Sequence, residues 1–162
     1  MCNEIEDYDG KKMKVLGIYS KNREEWTMSE IACWYSSTAV ISFYDTLGNE
    51  SIEFMIGQTQ LRTICLSNEN IEKIINLKKT GKLSTLQFLI SFDSLGENVK
   101  ENGAEIGLEI FTFEELVKKG EDLDVELQPS TPETVETLCY TSGTTGMPKV
   151  LYIKEIDFEI II

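Results

Sequence analysis

The sequence contains no histidine, only three prolines and no closely paired cysteines. The first and last of these shortages exclude several kinds of catalytic and metal-binding site. Without an imidazole, the chain cannot supply a Ser-His-Asp or Cys-His nucleophile system or a histidine-ligated metal site. The cysteines lie far apart, without a C-x-x-C pair, which argues against a zinc knuckle and against a disulfide-stapled secreted domain. We therefore expect reduced, mostly buried thiols in a cytosolic environment at Cys2, Cys33, Cys65 and Cys139.

Long apolar runs and an excess of positive charge are also missing. No run approaches the roughly 18 apolar residues of a membrane-spanning helix, and the acidic start MCNEIEDYDGKK does not resemble a signal peptide. The net charge of −13 argues against nucleic acid as a partner, because proteins that bind nucleic acid use Lys and Arg to displace counterions. A length of 162 residues, with 41% hydrophobic and 27% charged residues, indicates one soluble globular domain or a piece of a larger one.

Apolar runs alternate with helical patterns along the first two thirds of the chain. Four runs read as buried strands: Val15–Tyr19, Ala39–Tyr44, Leu61–Ser67 and Thr85–Phe92. Helical segments separate them, and this rhythm is typical of βαβ units. The predicted fold class is α/β with a largely parallel sheet.

The first helical segment carries an apolar stripe. Met28, Ile31, Ala32 and Tyr35 recur at helical spacing, so they are expected to face the core. The aromatic residues Trp26, Trp34 and Tyr35 are likewise expected in core packing rather than along a ligand channel.

Two later helices are predicted from the same periodicity. Ile52, Met55 and Ile56 share one face of a helix that follows a turn. A third helix, over Ile71–Lys79, ends before Gly81, as helices often end before a glycine.

The second half contains a capping signal and an acidic connector. Thr112 followed by Glu115 is a capping box that begins a short helix ending at Gly120. The segment Glu121–Glu136 holds two prolines and six carboxylates and is predicted to be an exposed connector.

The tail alternates apolar and other side chains at Ile156, Phe158, Ile160 and Ile162, which is a strand-like pattern. Two alternatives stay open for it: an edge strand docked on its own sheet, or an exposed aggregation-prone end.

A short strand leads into the stretch TLCYTSGTTGMPK, from Thr137 to Lys149. Gly143 and Gly146 allow backbone N–H groups to approach an anion, and Lys149 adds a positive charge. The spacing is not that of a G-x-x-x-x-G-K-[ST] loop. A solvated loop is the alternative, but nine residues in this order favour a polyphosphate site. The hydroxyl donors are Thr141, Ser142, Thr144 and Thr145.

Three stretches resemble one enzyme family. YTSGTTGMPK (Tyr140–Lys149) is similar to the phosphate-binding signature of the adenylate-forming (AMP-dependent synthetase/ligase) superfamily. GIYSKNREEW (Gly17–Trp26) and YDTLGNESIEFMI (Tyr44–Ile56) resemble the N-terminal region of its long-chain fatty acyl-CoA synthetase branch. The resemblance extends from about Met13 to Lys149.

The resemblance implies a two-step ligase. A fatty-acid carboxylate attacks ATP in the presence of Mg²⁺ to give an acyl-adenylate, and coenzyme A then takes the acyl group. Such a step depends on positioning and charge stabilisation, so no catalytic side chain is assigned here. The residues that the resemblance places on the β- and γ-phosphates are Thr141, Ser142, Gly143, Thr144, Thr145, Gly146 and Lys149.

The chain departs from the family after Lys149, where LYIKEIDFEIII matches no family segment and the later family motifs are missing. We therefore expect a variable segment at 1–12, a partial AMP-binding domain at 13–150 and a divergent tail at 151–162, and a truncated ligase that is inactive alone. The alternative is a non-enzymatic nucleotide-binding or interaction module that partners a full-length synthetase. The resemblance leaves cytoplasmic and peripheral membrane locations, such as the endoplasmic reticulum, both open.

Overall fold

A computed structural model describes residues 1–7, 9–141 and 148–159. The strands are β1 (Asn3–Glu6), β2 (Lys12–Tyr19), β3 (Thr38–Phe43), β4 (Thr63–Leu66), β5 (Phe88–Ser91), β6 (Glu109–Thr112), β7 (Val135–Thr141) and β8 (Lys149–Lys154). The helices are α1 (Glu24–Trp34), α2 (Asn49–Gln58), α3 (Asn68–Lys79), α4 (Val99–Ala104), α5 (Phe113–Gly120) and α6 (Glu155–Glu159).

The strands described form one sheet in the order β6-β5-β4-β2-β3-β7-β8, with β1 paired beside β2. Strands β2 to β7 run parallel to one another. Strand β1 pairs antiparallel with β2, and β8 pairs antiparallel with β7. The prediction of an α/β fold with a largely parallel sheet is confirmed. Because β2, β3, β4 and β7 run parallel, the loops that follow them leave from the same edge of the sheet.

One face of the sheet, which we call the packed face, is covered by α2, α3 and α4. The predicted helix positions Ile52, Met55 and Ile56 are fully buried there. They join sheet residues such as Ile41 and Phe43 in one continuous apolar core. Burying each such side chain contributes roughly 1.5–3 kcal/mol, so this core provides most of the driving force for folding.

The opposite face, which we call the open face, carries α1 and α5, and here the predicted stripe of α1 is wrong. Met28, Ile31 and Tyr35 are 52%, 41% and 53% exposed. The buried residues of α1 are instead Ser29 and Cys33, which are small enough to let the helix lie close to the sheet. An apolar stripe with helical spacing therefore identified a helix correctly but gave its orientation incorrectly.

The prediction of core packing for the aromatic residues of this region is also wrong for two of them. Trp34 and Tyr35 are exposed, and Trp26 alone of the three packs, partly buried, against the smaller apolar cluster of the open face.

The capping box of α5 is confirmed. The Glu115 backbone N–H donates to Thr112 Oγ1 at 3.1 Å, and the Thr112 N–H donates to Glu115 Oε2 at 2.9 Å. Four elements were not predicted, namely β1, β6, β8 and α4, each of which is only four to six residues long.

The strand-like pattern of the tail is wrong for the part that the structure describes. Residues 155–159 form α6, while the chain just before them forms β8 at one end of the strand order. The Lys154 N–H donates to Asp157 Oδ2 at 2.8 Å, which is half of a capping box and favours a helical turn. Residues 160–162 lie outside the described part.

Candidate functional site

The predicted phosphate-binding stretch connects β7 to β8, which pair as an antiparallel hairpin. Thr141 ends β7 and Lys149 begins β8, and the two residues are directly opposite each other in the register. Thr141 Oγ1 donates to the Lys149 carbonyl at 3.4 Å, and both side chains are exposed. The structure thus brings the first and last predicted site residues together at the base of one loop.

The other predicted site residues lie between these two. They fall outside the described residues: Ser142, Gly143, Thr144, Thr145 and Gly146.

The loop of the hairpin begins at the carboxyl end of β7, which is a parallel strand of the sheet. Strand β7 pairs with β3 through Val40 opposite Thr137 and Ile41 opposite Leu138. In open α/β sheets, ligands bind outside the carboxyl ends of the strands, where loops can be shaped without disturbing the core. The stretch that resembles a phosphate-binding loop therefore starts at the edge of the sheet where ligands bind in open α/β folds.

Tyr140 anchors β7 immediately before the loop. Its ring is buried, and its hydroxyl donates to Gln58 Oε1 at 2.9 Å, near the end of α2. Burial, together with the nearby Tyr152, raises the pKa of Tyr140 to about 12. This phenol therefore stays protonated at physiological pH, and its contribution is to hold the strand rather than to exchange a proton.

The stretch Tyr44–Ile56, which resembles the long-chain fatty acyl-CoA synthetase branch, begins beside the hairpin. Tyr44 leaves the end of β3, and its phenol lies next to the Cys139 thiol of β7. Partial burial is the main cause that raises the pKa of Tyr44, and the interaction with Cys139 raises it further. Asp45 then lies in a turn that leads into α2, as its residue type favours. Two stretches separated by about 90 residues in the sequence thus start from neighbouring strands.

Lys73 of α3 fixes the loop that follows β3, and sequence reasoning missed it. Its Nζ donates to the Tyr19 hydroxyl at 3.0 Å and to the Leu47 carbonyl at 2.9 Å. The ammonium also lies 5.5 Å from the centre of the Tyr19 ring, within the range of a cation–π interaction. No pattern in the sequence singles Lys73 out, since its neighbours at helical spacing include the polar residues Asn70 and Asn76.

Arg23 makes a second network at the carboxyl ends of β2, β4 and β5. Its guanidinium donates to both Glu25 carboxylate oxygens and to Asp93 Oδ1 at 2.8 Å. Asp93 Oδ2 also accepts from the Asn68 N–H at 2.9 Å. Burial acts to raise the pKa of Asp93, but these hydrogen bonds outweigh it and hold that pKa below its usual value. The network ties three loops together and belongs to the scaffold around the site.

Within residues 1–7, 9–141 and 148–159, no group of three histidine, cysteine or acidic side chains is arranged to hold a metal ion. The thiols among these residues are all free: Cys33 and Cys65 are buried, and Cys2 and Cys139 are half-buried.

Solved structures with the same fold include adenylation domains. The adenylation domain of a carboxylate reductase from Mycobacterium chelonae matches with a TM-score of 0.77 and 16% identity, covering 96% of this chain and 31% of that one. The A-PCP didomain of carboxylic acid reductase from Segniliparus rugosus, in complex with AMP, matches with a TM-score of 0.74 and 20% identity over 88% of this chain and 22% of that one. The fold is therefore that of part of an adenylation domain.

The sequence comparisons are more specific. The family model described as AMP-binding enzyme matches residues 7–154. Fatty acyl-CoA synthetase B of Dictyostelium discoideum is 36% identical over 145 residues, 88% of this chain and 21% of that protein. Long-chain-fatty-acid–CoA ligase 5 of Mus musculus is 30% identical over 149 residues, 91% of this chain and 22% of that protein. The chain belongs to the AMP-binding enzyme family, and the resemblance to its long-chain fatty acyl-CoA synthetase branch is confirmed.

The chain spans about a fifth of the length of these curated relatives. Among its described helices, none has both the length and the apolar character needed to cross a bilayer.

Proposed function

We propose that this chain provides the triphosphate-binding part of an ATP-dependent long-chain fatty acid–CoA ligase. The observation that carries the proposal is the β7–β8 hairpin, which sets Thr141 opposite Lys149 at the base of the glycine-rich loop. The names of the relatives, which are long-chain fatty acid–CoA ligases and a fatty acyl-CoA synthetase, support the choice of acid.

The proposed reaction has two steps. The fatty-acid carboxylate attacks the α-phosphate of ATP, so that an acyl-adenylate forms and pyrophosphate leaves. The thiol of coenzyme A then attacks the acyl carbon, forming the thioester and releasing AMP. In the first step the negative charge on the leaving pyrophosphate grows, and donors aimed at it lower the barrier.

The residues proposed to bind the β- and γ-phosphates remain Thr141, Ser142, Gly143, Thr144, Thr145, Gly146 and Lys149. Lys149 contributes a full positive charge, and the two glycines allow the backbone to approach an anion. The antiparallel pairing of β7 with β8 limits the movement of Thr141 and Lys149, which reduces the entropy that these two residues lose when they bind a ligand.

Mg²⁺ is proposed as the counterion of the nucleotide. It retains water readily and is usually bound through substrate phosphates plus one or two protein oxygens. Its chemistry would be to neutralise charge on the phosphate oxygens.

Nucleotide binding by the 162-residue chain tests the site. We expect the Kd for Mg·ATP, measured by isothermal titration calorimetry, to rise at least about tenfold in Lys149→Ala, since a hydrogen bond to a charged group contributes about 1.5–3 kcal/mol. Lys82→Ala is the matched control, because Lys82 is exposed and pairs with Glu53 away from the hairpin. Equal affinity of the two variants would refute the site.

Fatty-acid-dependent pyrophosphate release tests the activity. Release by the chain alone would establish the adenylation step in this segment and contradict our expectation that it is inactive in isolation. ATP binding without release, together with co-purification with a full-length synthetase, would favour the alternative of a non-catalytic nucleotide-binding module.

The division into 1–12, 13–150 and 151–162 remains part of the proposal, as does a cytoplasmic location with peripheral membrane association. Limited proteolysis tests the boundaries, and fractionation of cells that express the tagged chain tests the location.

A further inference from the structure

The hydrogen bond between Tyr140 and Gln58 links the candidate phosphate loop to the core of the fold. Tyr140 directly precedes Thr141 at the end of β7, and it lies opposite Val150, the neighbour of Lys149, in the register. Its ring belongs to the continuous core of the packed face. Its hydroxyl donates to Gln58 Oε1 at 2.9 Å. One side chain at the base of the loop therefore reaches the end of α2.

Tyr140 and Thr141 have different surroundings although they are adjacent. Successive side chains along a strand point to opposite faces of the sheet. Tyr140 is 7% exposed and lies on the packed face, whereas Thr141 is exposed. The strand thus anchors itself in the core with one residue and presents the next residue to solvent. An anchor at Tyr140 determines where the loop begins.

The acceptor Gln58 lies at the end of a helix whose last turn is well defined. The Leu61 N–H donates to the Ile56 carbonyl at 3.0 Å, and the Gln60 N–H donates to the Gly57 carbonyl at 3.3 Å. These two bonds, with Gln60 in the left-handed region at a φ of 46°, form a Schellman motif. The motif fixes the backbone on which Gln58 is carried.

Asn3 of β1 restrains the turn that follows α2. Its Nδ2 donates to the Thr59 carbonyl at 3.1 Å, and its Oδ1 accepts from the Arg62 N–H at 3.0 Å. Ile56, one turn earlier, is fully buried in the core. The end of α2 is therefore held by the core on one side and by β1 on the other, so it provides a fixed point for the Tyr140 hydroxyl.

Water can reach the hydrogen bond from one side. A cavity of about 460 Å³ adjoins it, and Glu6, Lys12, Gln58 and Tyr140 are among its lining residues. The Gln58 side chain is exposed. Removing either partner therefore leaves the other hydrated, without the penalty of a buried unpaired polar group. Variants at this pair should remain folded, which makes the link open to direct test.

We propose that Tyr140 and Gln58 are positioning residues for phosphate binding: their hydrogen bond holds the start of the loop in the place from which it binds the β- and γ-phosphates. This inference rests on the proposed function, since it names a determinant of affinity at that same site. Neither side chain is proposed to contact the nucleotide. Their effect arises because a loop whose base is already held loses less freedom when a ligand binds.

Affinity for Mg·ATP tests the proposal, measured by isothermal titration calorimetry at about 0.15 M salt, where distant exposed charges are screened. Tyr140→Phe should raise the Kd about threefold to tenfold, the range expected for the loss of one neutral hydrogen bond. Gln58→Met lacks an acceptor and should do the same, whereas Gln58→Glu keeps an acceptor and should bind nearly as well as the parent. Combining Tyr140→Phe with Gln58→Met should add little, because both remove one bond.

Thr112→Ala is the matched control for a general loss of stability. It removes the cap of α5 beside β6, which lies at the opposite end of the strand order from β8, and it should leave the Kd unchanged. A second measurement does not involve ATP. In the ligand-free chain, amide hydrogen exchange at residues 139–141 and 149–151, followed by NMR, should be about threefold to tenfold faster in Tyr140→Phe but not in Thr112→Ala, because local opening of the hairpin becomes easier.

Four results would overturn the positioning role. These are parent-like affinity in Tyr140→Phe, an equal loss of affinity in Thr112→Ala, equally weak binding by Gln58→Glu and Gln58→Met, or unchanged amide exchange in the hairpin. If Lys149→Ala weakens binding and Tyr140→Phe does not, the proposed site stands and only the positioning role fails. If the parent and Lys149→Ala bind Mg·ATP equally, the proposed function fails, and this inference fails with it.

Discussion

The two faces of the central sheet are covered to very different extents. On the packed face, α2 and α3 bury most of their apolar residues against Ile41, Phe43 and their neighbours, and α4 adds the partly buried Val99. On the open face, α1 and α5 cover the sheet only in part, and α1 turns small residues inward and large apolar residues outward. One sheet thus has a well-covered apolar core on its packed face and solvent-exposed apolar side chains on its open face.

This difference indicates that the packed face contributes more to stability than the open face, whose buried apolar cluster is smaller. Removing a large side chain from the packed face leaves a cavity in a region that cannot collapse easily, whereas an exposed side chain has little to lose. Stability measurements on matched pairs of variants can therefore break or sharpen the comparison.

The largest effect is expected from Phe43→Ala. Phe43 is fully buried on the packed face, with its ring centre 6.1 Å from that of Tyr19. We expect a loss of about 3–5 kcal/mol in the free energy of unfolding, measured by urea denaturation. Tyr35→Ala on the open face should change it by no more than about 0.5 kcal/mol. Similar losses in the two variants would mean that the faces contribute alike.

A smaller loss is expected from Gly17→Ala. A methyl group at Gly17 would lie 2.6 Å from Leu61 Cδ2 and 3.1 Å from Ile64 Cγ1, so the packed face would have to shift. Overpacking of this kind costs about 1–3 kcal/mol. Gly57→Ala is the control, since Gly57 is an exposed position of α2 and nothing lies within 4 Å of where its Cβ would be. It should stabilise the chain by roughly 0.5–1 kcal/mol, and a stabilising Gly17→Ala would show that the packed face has unfilled space.

Thr112→Ala tests the open face through α5. The substitution removes the side-chain half of the capping box and should cost about 0.5–2 kcal/mol in thermal or urea unfolding. Thr112→Ser keeps the hydroxyl and should recover most of that loss. A neutral Thr112→Ala would indicate that α5 contributes nothing to folding.

The smallest effect is expected from Glu136→Gln, and it depends on pH. Because burial raises the folded-state pKa of Glu136, the folded chain retains this proton to higher pH than the unfolded chain. The group's contribution to stability therefore falls as pH rises from the ordinary glutamate value through the raised value. Glu136→Gln should be slightly more stable than the parent at neutral pH and should lose that advantage in acid. An advantage that persists at low pH would mean that the charge is not its cause.

The sequence predicted the packed face well. The runs around β2, β3, β4 and β5 are continuous and apolar because these strands are buried on both sides, and α2 and α3 carry their apolar residues on one side. For these elements, periodicity and burial have the same physical cause.

Elsewhere the pattern and the packing separate. In α1 the apolar stripe has helical spacing, but the close approach to the sheet selects Ser29 and Cys33. In the tail, alternation suggested a strand, but the side chain of Asp157 caps a helical turn. Strand β6 is four residues long and runs directly into α5, too short for its own period to be visible.

The candidate site was predictable as a motif rather than as a geometry. The glycines and hydroxyls identify the loop, but that β7 and β8 form an antiparallel pair, and that Tyr44 lies beside Cys139, follows from the strand order. Lys73 could not be assigned from the sequence, because its partners Tyr19 and Leu47 lie on two other elements. The roles of the seven predicted site residues stay a prediction.

The order of the strands has a consequence for synthesis on the ribosome. Strand β3 is complete at residue 43, but β7, the neighbour on its outer side, begins only at residue 135. While the intervening segment is translated, the outer side of β3 is an unpaired hydrogen-bonding edge that another nascent chain can join. Chains arrested before residue 135 should therefore aggregate more readily than chains arrested after β8.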